Sequence, residues 1–415
     1  SEANAHPNLA GVVAVVHNGI IENYVTLRTA LEKAGVRFAS DTDTEIIAHL
    51  VARALKAGGA VTLEAAVRAA LARVRGAYAI AVVSSDSPDR IVVAKNESPI
   101  VIGLGKGETW AASDIPAILE HTRDMLFLHE GEMAVLTREG AQLSTIEGAP
   151  IERAPRRIDW SPTQAEKGGH KHFMLKEIHE QPRAVEDTLR GRVDLPTAQI
   201  VPEEIGVSNE LAARIGRVYF IACGTSSHAA MAGRYWLEQL ARIPAVVEIG
   251  SEVRYRDPVF QKDDLVVAVS QSGETLDTLA AAKAAKAAGA HVLAVANVLD
   301  SAIPRMADAA LYTHAGPEIG VASTKCFTTQ LAALLLLAVH IGRRRGALDE
   351  AHARRVTSAL WRAPQLMREV LETSEHARAI AKKHLRATDF LYLGRATGYP
   401  IALEGALKLK EISYI

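Results

Sequence analysis

The sequence has few of the features that mark several large classes of protein. Only two cysteines, Cys223 and Cys326, occur among 415 residues, which excludes a disulfide framework and predicts a reducing, cytoplasmic compartment. The net charge is −1, so nothing favours a nucleic-acid partner or a membrane surface. The longest apolar run, residues 331–341, is too short to span a bilayer and predicts a buried helix. The remaining composition, 48% hydrophobic and 23% charged, is that of a globular chain of two or three domains.

The segment LVVAVSQSGET, residues 265–275, predicts a buried strand, a polar turn and the start of a helix. The polar residues of this turn are Ser270, Gln271, Ser272 and Thr275. Hydroxyl groups and free helix N–H groups at one point can bind a phosphate without a cationic side chain. The alternative is a serine-rich cap that only solvates its own backbone.

Strands and helices alternate over residues 217–345, which predicts an α/β fold with a doubly wound, mostly parallel sheet. Two further turns rich in Ser and Thr, at 222–227 and 318–325, also precede predicted helices. Ligands of such sheets bind beyond the carboxyl ends of the strands. Three turns of this kind therefore predict a phosphorylated small molecule as the ligand.

The chain before this region has a different pattern. Residues 1–155 contain many short strands and two or three helices, which predicts mixed sheets with helices packed outside them. Proline, glycine and scattered charges predict a linker at 156–180. Three histidines in this region, His170, His172 and His179, allow a metal site, but solvated or interface histidines are favoured because no second ligand pair is near.

The last part of the chain, residues 346–415, is predicted to form a duplicated unit. The segment 389–400 repeats the strand, glycine turn and helix of 217–228. In the final helix Glu404, Lys408 and Glu411 share one stripe. An exposed ladder of ion pairs is the default interpretation of such a stripe, whereas a half-buried carboxylate and amine would suit proton transfer.

Six motifs occur in one order along the chain, and together they resemble one family. They are HNGIIEN, SDTDTE, CGTSS, SQSGET, EIGVASTK and ALEGALKLKEISYI. The chain resembles the glutamine–fructose-6-phosphate aminotransferases (isomerizing), or glucosamine-6-phosphate synthases, over essentially its whole length. The resemblance implies an N-terminal-nucleophile amidotransferase domain of layered antiparallel sheets (α+β) at 1–155, a first sugar isomerase domain at 181–345 and the start of a second at 346–415.

The family's activity is implied with the fold. Glutamine is hydrolysed, ammonia passes internally to fructose 6-phosphate, and this sugar is aminated and isomerised to glucosamine 6-phosphate. The resemblance implies glutamine and fructose 6-phosphate as substrates, a homodimer, and no metal or organic cofactor.

Matching the motifs gives the implied roles. Asn18 and Gly19 match the oxyanion hole, and an amide side chain with a backbone N–H suits that role. Asp43 matches the carboxylate that binds the α-amino group of glutamine, with the N-cap of a capping box as the alternative. His6 matches a pocket histidine, with a structural role equally open.

The implied roles continue in the second half of the chain. The sugar-phosphate positions are Thr225, Ser226, Ser270, Gln271, Ser272 and Thr275. Val321 and Ser323 match contacts to the sugar. Glu411 matches the base that moves a proton between C1 and C2, and Lys408 matches its partner at the C1 hydroxyl.

Some family features have no counterpart in the sequence. The nucleophilic N-terminal cysteine and an Arg-Trp segment are absent, and the ring-opening histidine and Schiff-base lysine of the family match nothing before Ile415. We therefore expect the 415-residue chain to turn over neither substrate. Cys326 stands where the family commonly has alanine, which predicts a packing role.

Three other functions compete with this interpretation. A non-catalytic sugar-phosphate sensor would need an output module, and residues 1–155 show no basic recognition helix. A transferase acting on a phosphoribosyl or aspartyl acceptor would need other motifs in its second half. An isomerase of the deglycase type without a glutaminase would not need the HNG and DTDTE motifs.

Overall fold

The structure is a computed structural model, and it describes residues 4–57, 61–96, 98–113, 115, 117–158, 167–194, 197, 199–256 and 258–415. The chain divides into two compact units, Ser1–Pro162 and Thr163–Ile415. α4, Phe173–Leu189, begins within the range predicted as a linker. Part of that range, 159–166, lies outside the described residues.

The first unit is built on two antiparallel sheets. The larger has the order β1-β2-β3-β4-β8-β9-β10 and the smaller the order β11-β7-β5-β6. The strands are β1 Asn8–Ala10, β2 Val13–Ile21, β3 Gly76–Ser84, β4 Ser87–Asn96, β5 Val101–Leu104, β6 Thr109–Ala112, β7 Asp124–Phe127, β8 Glu132–Thr137, β9 Gly140–Thr145, β10 Pro150–Ile151 and β11 Arg156–Arg157. The helices are α1 Tyr24–Lys33, α2 Thr44–Lys56 and α3 Leu63–Leu71.

Apolar periodicity explains how these layers pack. α2 buries Ile46, Ile47 and Val51 completely, and these residues join the core formed with β2 and β3. A second core contains Val93 from the larger sheet and Ile102 from the smaller one. Helices thus cover one face of the larger sheet and the smaller sheet covers part of the other, as layered antiparallel sheets require.

The second unit contains a parallel five-stranded sheet of order β15-β14-β16-β17-β18. The strands of this unit are β12 Val193–Asp194, β13 Gln199–Ile200, β14 Arg217–Ala222, β15 Ala245–Ile249, β16 Asp264–Ser270, β17 His291–Ala296 and β18 Ala309–Tyr312. The helices after α4 are α5 Asn209–Arg214, α6 Gly224–Trp236, α7 Gly250–Arg256, α8 Leu276–Ala287, α9 Ala302–Met306, α10 Lys325–Arg344, α11 Glu350–Leu371, α12 Ser374–Lys383 and α13 Gly398–Ser413. A 3₁₀ turn covers Pro202–Glu204, and a π-helical turn, Leu237–Ala241, extends α6. The sheet confirms the predicted α/β class of this region, and its strand order reverses between β14 and β16.

α10 carries the predicted apolar run. By length and composition it could cross a membrane, but 83% of its most apolar window is buried. Leu336 and Leu337 are fully buried against the parallel sheet. The helix is therefore a buried core helix of the second unit, and the prediction of a buried helix is confirmed.

One prediction about the last part of the chain is wrong. Residues 389–394 form no strand, and Leu391 and Leu393 are about nine-tenths exposed. No strand of the described residues lies beside this segment, and a strand needs a hydrogen-bonded neighbour. Two helices, α11 and α12, separated at residues 372–373, precede this segment.

Candidate active site

The turn after β16 closes on its own hydroxyl groups. Ser270 Oγ accepts a hydrogen bond from the Gly273 N–H at 3.0 Å and lies 2.8 Å from Thr275 Oγ1. Ser272 Oγ accepts from the Glu274 N–H at 3.2 Å. Part of the capping interpretation is therefore correct, since these hydroxyls do solvate the turn. The same bonds fix the turn at the N-terminus of α8, where the helix dipole favours an anion.

The turn after β14 leaves the same edge of the sheet. Ile221 of β14 lies opposite Ala268 of β16, so the two strands end side by side. Ser226, buried in the first turn of α6, accepts a hydrogen bond from Gln330 Nε2 of α10 at 3.0 Å. The strand order reverses here, and doubly wound sheets bind their ligands at such a point.

A residue that the sequence did not single out, Asn297, connects the third turn to these two. Asn297 is 5% exposed and follows β17. Its N–H donates to the Gln271 carbonyl at 3.1 Å, and its Nδ2 donates to the Gly316 carbonyl at 2.7 Å. One buried amide therefore joins the β16 turn to the segment that leads into residues 318–325.

The third turn is organised by Glu318. Its carboxylate accepts hydrogen bonds from Ser323 Oγ at 2.8 Å and from the Thr324 N–H at 2.7 Å. Val321 is fully exposed between these anchors. Because the Ser323 hydroxyl donates its proton to Glu318, it presents lone pairs to any ligand and suits a sugar hydroxyl better than a phosphate.

The charged stripe of α13 packs against the start of α6. Glu404 is 5% exposed, accepts from Thr225 Oγ1 at 2.9 Å and lies 2.8 Å from His228 Nδ1. Lys408 Nζ donates to Thr225 Oγ1 at 3.0 Å and lies 2.5 Å from a carboxylate oxygen of Glu411. The exposed-ladder interpretation is therefore wrong for Glu404, which is buried in a polar network.

The environment of Glu404 keeps it charged. Burial raises the pKa of this carboxyl, but hydrogen bonds from His228 and Thr225 and the charge of Lys408 outweigh burial and lower it below its usual value. The buried carboxylate thus holds Lys408 beside Glu411, and an ammonium paired with a carboxylate can serve proton transfer.

In the first unit, Asp43 does not act as a helix cap. It occupies the N-cap position of α2, but its side chain makes no capping hydrogen bond. Asp43 Oδ2 instead accepts from the Ile21 N–H at 2.8 Å, and Oδ1 lies 3.9 Å from His17 Nδ1. Burial lowers the pKa of His17, although the Asp43 carboxylate opposes the shift. His17 is a neighbour of Asp43 that sequence reasoning missed.

Asn18 and Gly19 lie within β2 rather than at its end, because the strand continues to Ile21. Gly19 has φ +146°, and a Cβ there would lie 2.0 Å from the Ala77 carbonyl oxygen. Only glycine fits this position. Asn18 is exposed and lines a cleft of about 180 Å³ together with Ile100. The cleft gives a small ligand access to the Asn18 amide.

Other predicted positions have simple surroundings. His6 is exposed, with Nδ1 3.3 Å from Asn8 Nδ2. The rings of His170 and His179 stack with centroids 5.1 Å apart. Among the described residues, no group of three His, Cys, Asp or Glu side chains is placed to hold a metal.

Cys326 is fully buried, and burial with the nearby Glu318 raises its pKa well above the usual value, so its thiol is inert.

Comparison with known proteins places this chain in a family. A profile described as a glutamine amidotransferase domain matches residues 1–120, and one described as an SIS domain matches residues 212–340. The chain is 50% identical to the glutamine–fructose-6-phosphate aminotransferase (isomerizing) of Symbiobacterium thermophilum and 48% identical to that of Thermus thermophilus. Both alignments cover 100% of this chain and 68% of the relative. The chain belongs to the glutamine–fructose-6-phosphate aminotransferase family.

A solved structure agrees with this membership. The C-terminal domain of glucosamine-fructose-6-phosphate aminotransferase from Francisella tularensis matches 60% of this chain and 70% of its own, with 40% identity and a TM-score of 0.57. Within this aminotransferase family member, the candidate sugar-phosphate residues gather on three connected turns of one sheet edge. Asn297, Glu318 and His228 are the additions that the sequence did not predict.

Proposed function

We propose that this chain carries the glutamine site and the sugar-phosphate site of the family's reaction, the glutamine-dependent conversion of fructose 6-phosphate to glucosamine 6-phosphate, the first step of amino-sugar synthesis. Because its 415 residues hold no counterpart of the family's nucleophilic cysteine, ring-opening histidine or Schiff-base lysine, we expect these sites to bind the substrates without turning them over. The observation that carries the proposal is the contact of Lys408, which pairs with Glu411, with Thr225 in the turn after β14, beside the switch point of the parallel sheet. The glutamine amidotransferase match over residues 1–120 supplies the nitrogen-donor half.

In this proposal the phosphate binds at the N-terminus of α8. Ser272 and Thr275 donate hydroxyl hydrogen bonds, Gln271 donates its amide, and the helix dipole supplies the partial positive charge. Ser270 is 2% exposed and acts mainly by shaping the turn. Ser226, in the first turn of α6, extends the hydroxyl lining from the end of β14, and neighbouring strands of a sheet lie about 4.8 Å apart.

The sugar chain then runs toward Thr225 and α13. Glu411 moves the proton between C1 and C2, and Lys408 stabilises charge at the C1 hydroxyl. Thr225 links Lys408 to the buried Glu404, so the amine is held in place before the sugar arrives. Val321 contributes a backbone contact and Ser323 accepts from a sugar hydroxyl.

In the amidotransferase unit, Asp43 binds the α-amino group of glutamine, and Asn18 and Gly19 form the oxyanion hole. We assign His6 to the same site, because it is among the groups that lower the pKa of His17, the neighbour of Asp43. We also infer a homodimer and a cytoplasmic location, the latter supported by two free cysteines.

Calorimetric titration of the chain with fructose 6-phosphate tests the proposal. We expect saturable binding that Ser272→Ala weakens at least tenfold, because a hydrogen bond to a charged group contributes about 1.5–3 kcal/mol. Ser374→Ala, at an exposed position of α12, is the matched control and should bind normally. Absence of binding by the unsubstituted chain, or equal effects of the two substitutions, would refute the proposal.

A further inference from the structure

α4 carries a buried carboxylate that contacts the sugar turn. Glu177 is 1% exposed. Its Oε1 accepts the Ile319 N–H at 2.6 Å and the Gly320 N–H at 3.0 Å, and its Oε2 lies 3.2 Å from the same Gly320 nitrogen. These two amides directly precede Val321, so the carboxylate holds the turn at its base.

The turn lies directly against α4. A Cβ on Gly320 would lie 2.5 Å from Glu177 Oε2 and 3.4 Å from the Met174 Cα. The distance to Met174 is ordinary contact, but a side chain at position 320 would displace the Glu177 carboxylate, so glycine leaves the space that this carboxylate occupies.

A second contact from α4 holds the other end of the turn. Lys325 is 2% exposed, and its Nζ lies 2.7 Å from Glu180 Oε2. Glu180 is one helical turn after Glu177, so one face of α4 contacts both sides of the segment that carries Val321 and Ser323.

The negative charge of Glu177 is disfavoured at this position. Burial raises the pKa of Glu177, and the neighbouring charge of Glu318 adds to this, although the two N–H groups and Lys325 oppose the shift. A carboxylate held where its charge is disfavoured contributes little to stability by itself. Packing alone therefore does not explain an acidic residue here.

We propose that Glu177 is a positioning residue for the sugar, whose carboxylate holds the backbone of Ile319 and Gly320 so that Val321 and Ser323 face the ligand. This inference rests on the proposed function. Glu177 does not touch the sugar and acts through the turn.

The variant Glu177→Gln keeps the size of the side chain but replaces one acceptor oxygen with an NH₂ group that faces the Gly320 N–H. In titration calorimetry we expect the Kd for fructose 6-phosphate to rise about tenfold. The thermal midpoint should change little, since the remaining oxygen can still accept both N–H groups and the removal of a disfavoured charge offsets the lost acceptor. In hydrogen exchange without ligand, the amides of Ile319 and Gly320 should exchange faster.

Glu186→Gln is the matched control, because Glu186 lies on the same helix and pairs with Arg368 at the surface. It should change neither binding nor exchange in the turn. Unaltered exchange or unaltered affinity in Glu177→Gln overturns the inference, and so does a loss of affinity that only parallels a loss of thermal stability. If the unsubstituted chain binds no fructose 6-phosphate, the proposed function fails, and a remaining exchange difference assigns Glu177 a purely structural role, which also overturns the inference.

Discussion

Replacing Gly273 with alanine tests whether the turn after β16 is as tightly built as its contacts indicate. Gly273 has φ +67°, a left-handed conformation that alanine adopts at a cost of about 1–2 kcal/mol. A Cβ would also lie 1.9 Å from Ser301 Oγ and 2.8 Å from Ser301 Cβ.

The overlap is not removed by rotating the serine. Ser301 is 3% exposed and its Oγ donates to the Val298 carbonyl at 2.8 Å. Even with the hydroxyl displaced, Ser301 Cβ and the Pro304 Cδ, 3.2 Å away, still obstruct the added methyl group. Overpacking of this kind costs about 1–3 kcal/mol. When the cost of the left-handed backbone is added, we expect Gly273→Ala to lower the local opening free energy around the turn by roughly 2–5 kcal/mol.

Gly289→Ala provides the matched control. Gly289 follows the other end of α8 with φ +90°, and a Cβ there meets no atom within 4 Å. This variant should therefore show only the backbone cost of about 1–2 kcal/mol. The difference between the two variants isolates the steric overlap with Ser301.

Hydrogen exchange followed by mass spectrometry measures both effects within the second unit, because peptides from β16 report local opening free energies. We expect β16 to lose more protection in Gly273→Ala than in Gly289→Ala, and only the former to lose affinity for fructose 6-phosphate. Equal loss of protection in the two variants would show that Ser301 yields easily and would refute the reasoning.

Two further predictions concern titration. His340 Nε2 lies 2.8 Å from the Val207 carbonyl, and burial lowers the pKa of this histidine. The neutral His340 therefore contributes to stability above about pH 6.5, and this contribution is lost as the pH falls through the pKa of the folded state. Urea midpoints of the second unit should therefore fall on acidification, less steeply in His340→Gln; an identical slope in the variant would contradict this. Burial raises the pKa of Tyr78 to about 12, helped by Glu147 and Glu130. Ultraviolet absorbance should show a tyrosine ionising at that pH, and the step should vanish in Tyr78→Phe; a normal titration near 10 for every tyrosine would exclude the assigned burial.

Local patterns were sufficient to predict much of the second unit. The β-branched run before Ser270 and the polar turn after it gave a strand and a helix start close to those observed. Strand order was beyond such patterns, because pairing depends on contacts distant in sequence. The prediction of a strand at 389–394 was wrong because local strand propensity does not show whether a neighbouring strand is present to pair with the backbone.

The supporting residues of the site were the hardest to predict. Glu177 contacts Gly320 across 143 positions, and His228 contacts Glu404 across 176. Each resembles an ordinary helical surface residue until the fold brings its partner near. One feature of the sequence could have indicated Asn297 as a site residue: it directly follows a buried strand that ends at the ligand edge of the sheet. Glu318 could have been noticed as a carboxylate just before a helix start.

The unpaired segment 389–394 has a practical consequence for handling the protein. Its run of Phe390, Leu391, Tyr392 and Leu393 combines strong β propensity with no proline and little cover from solvent. Short stretches of that kind recruit identical copies into intermolecular sheets when left bare. These exposed side chains are therefore where we expect copies of the 415-residue chain to associate in concentrated solution.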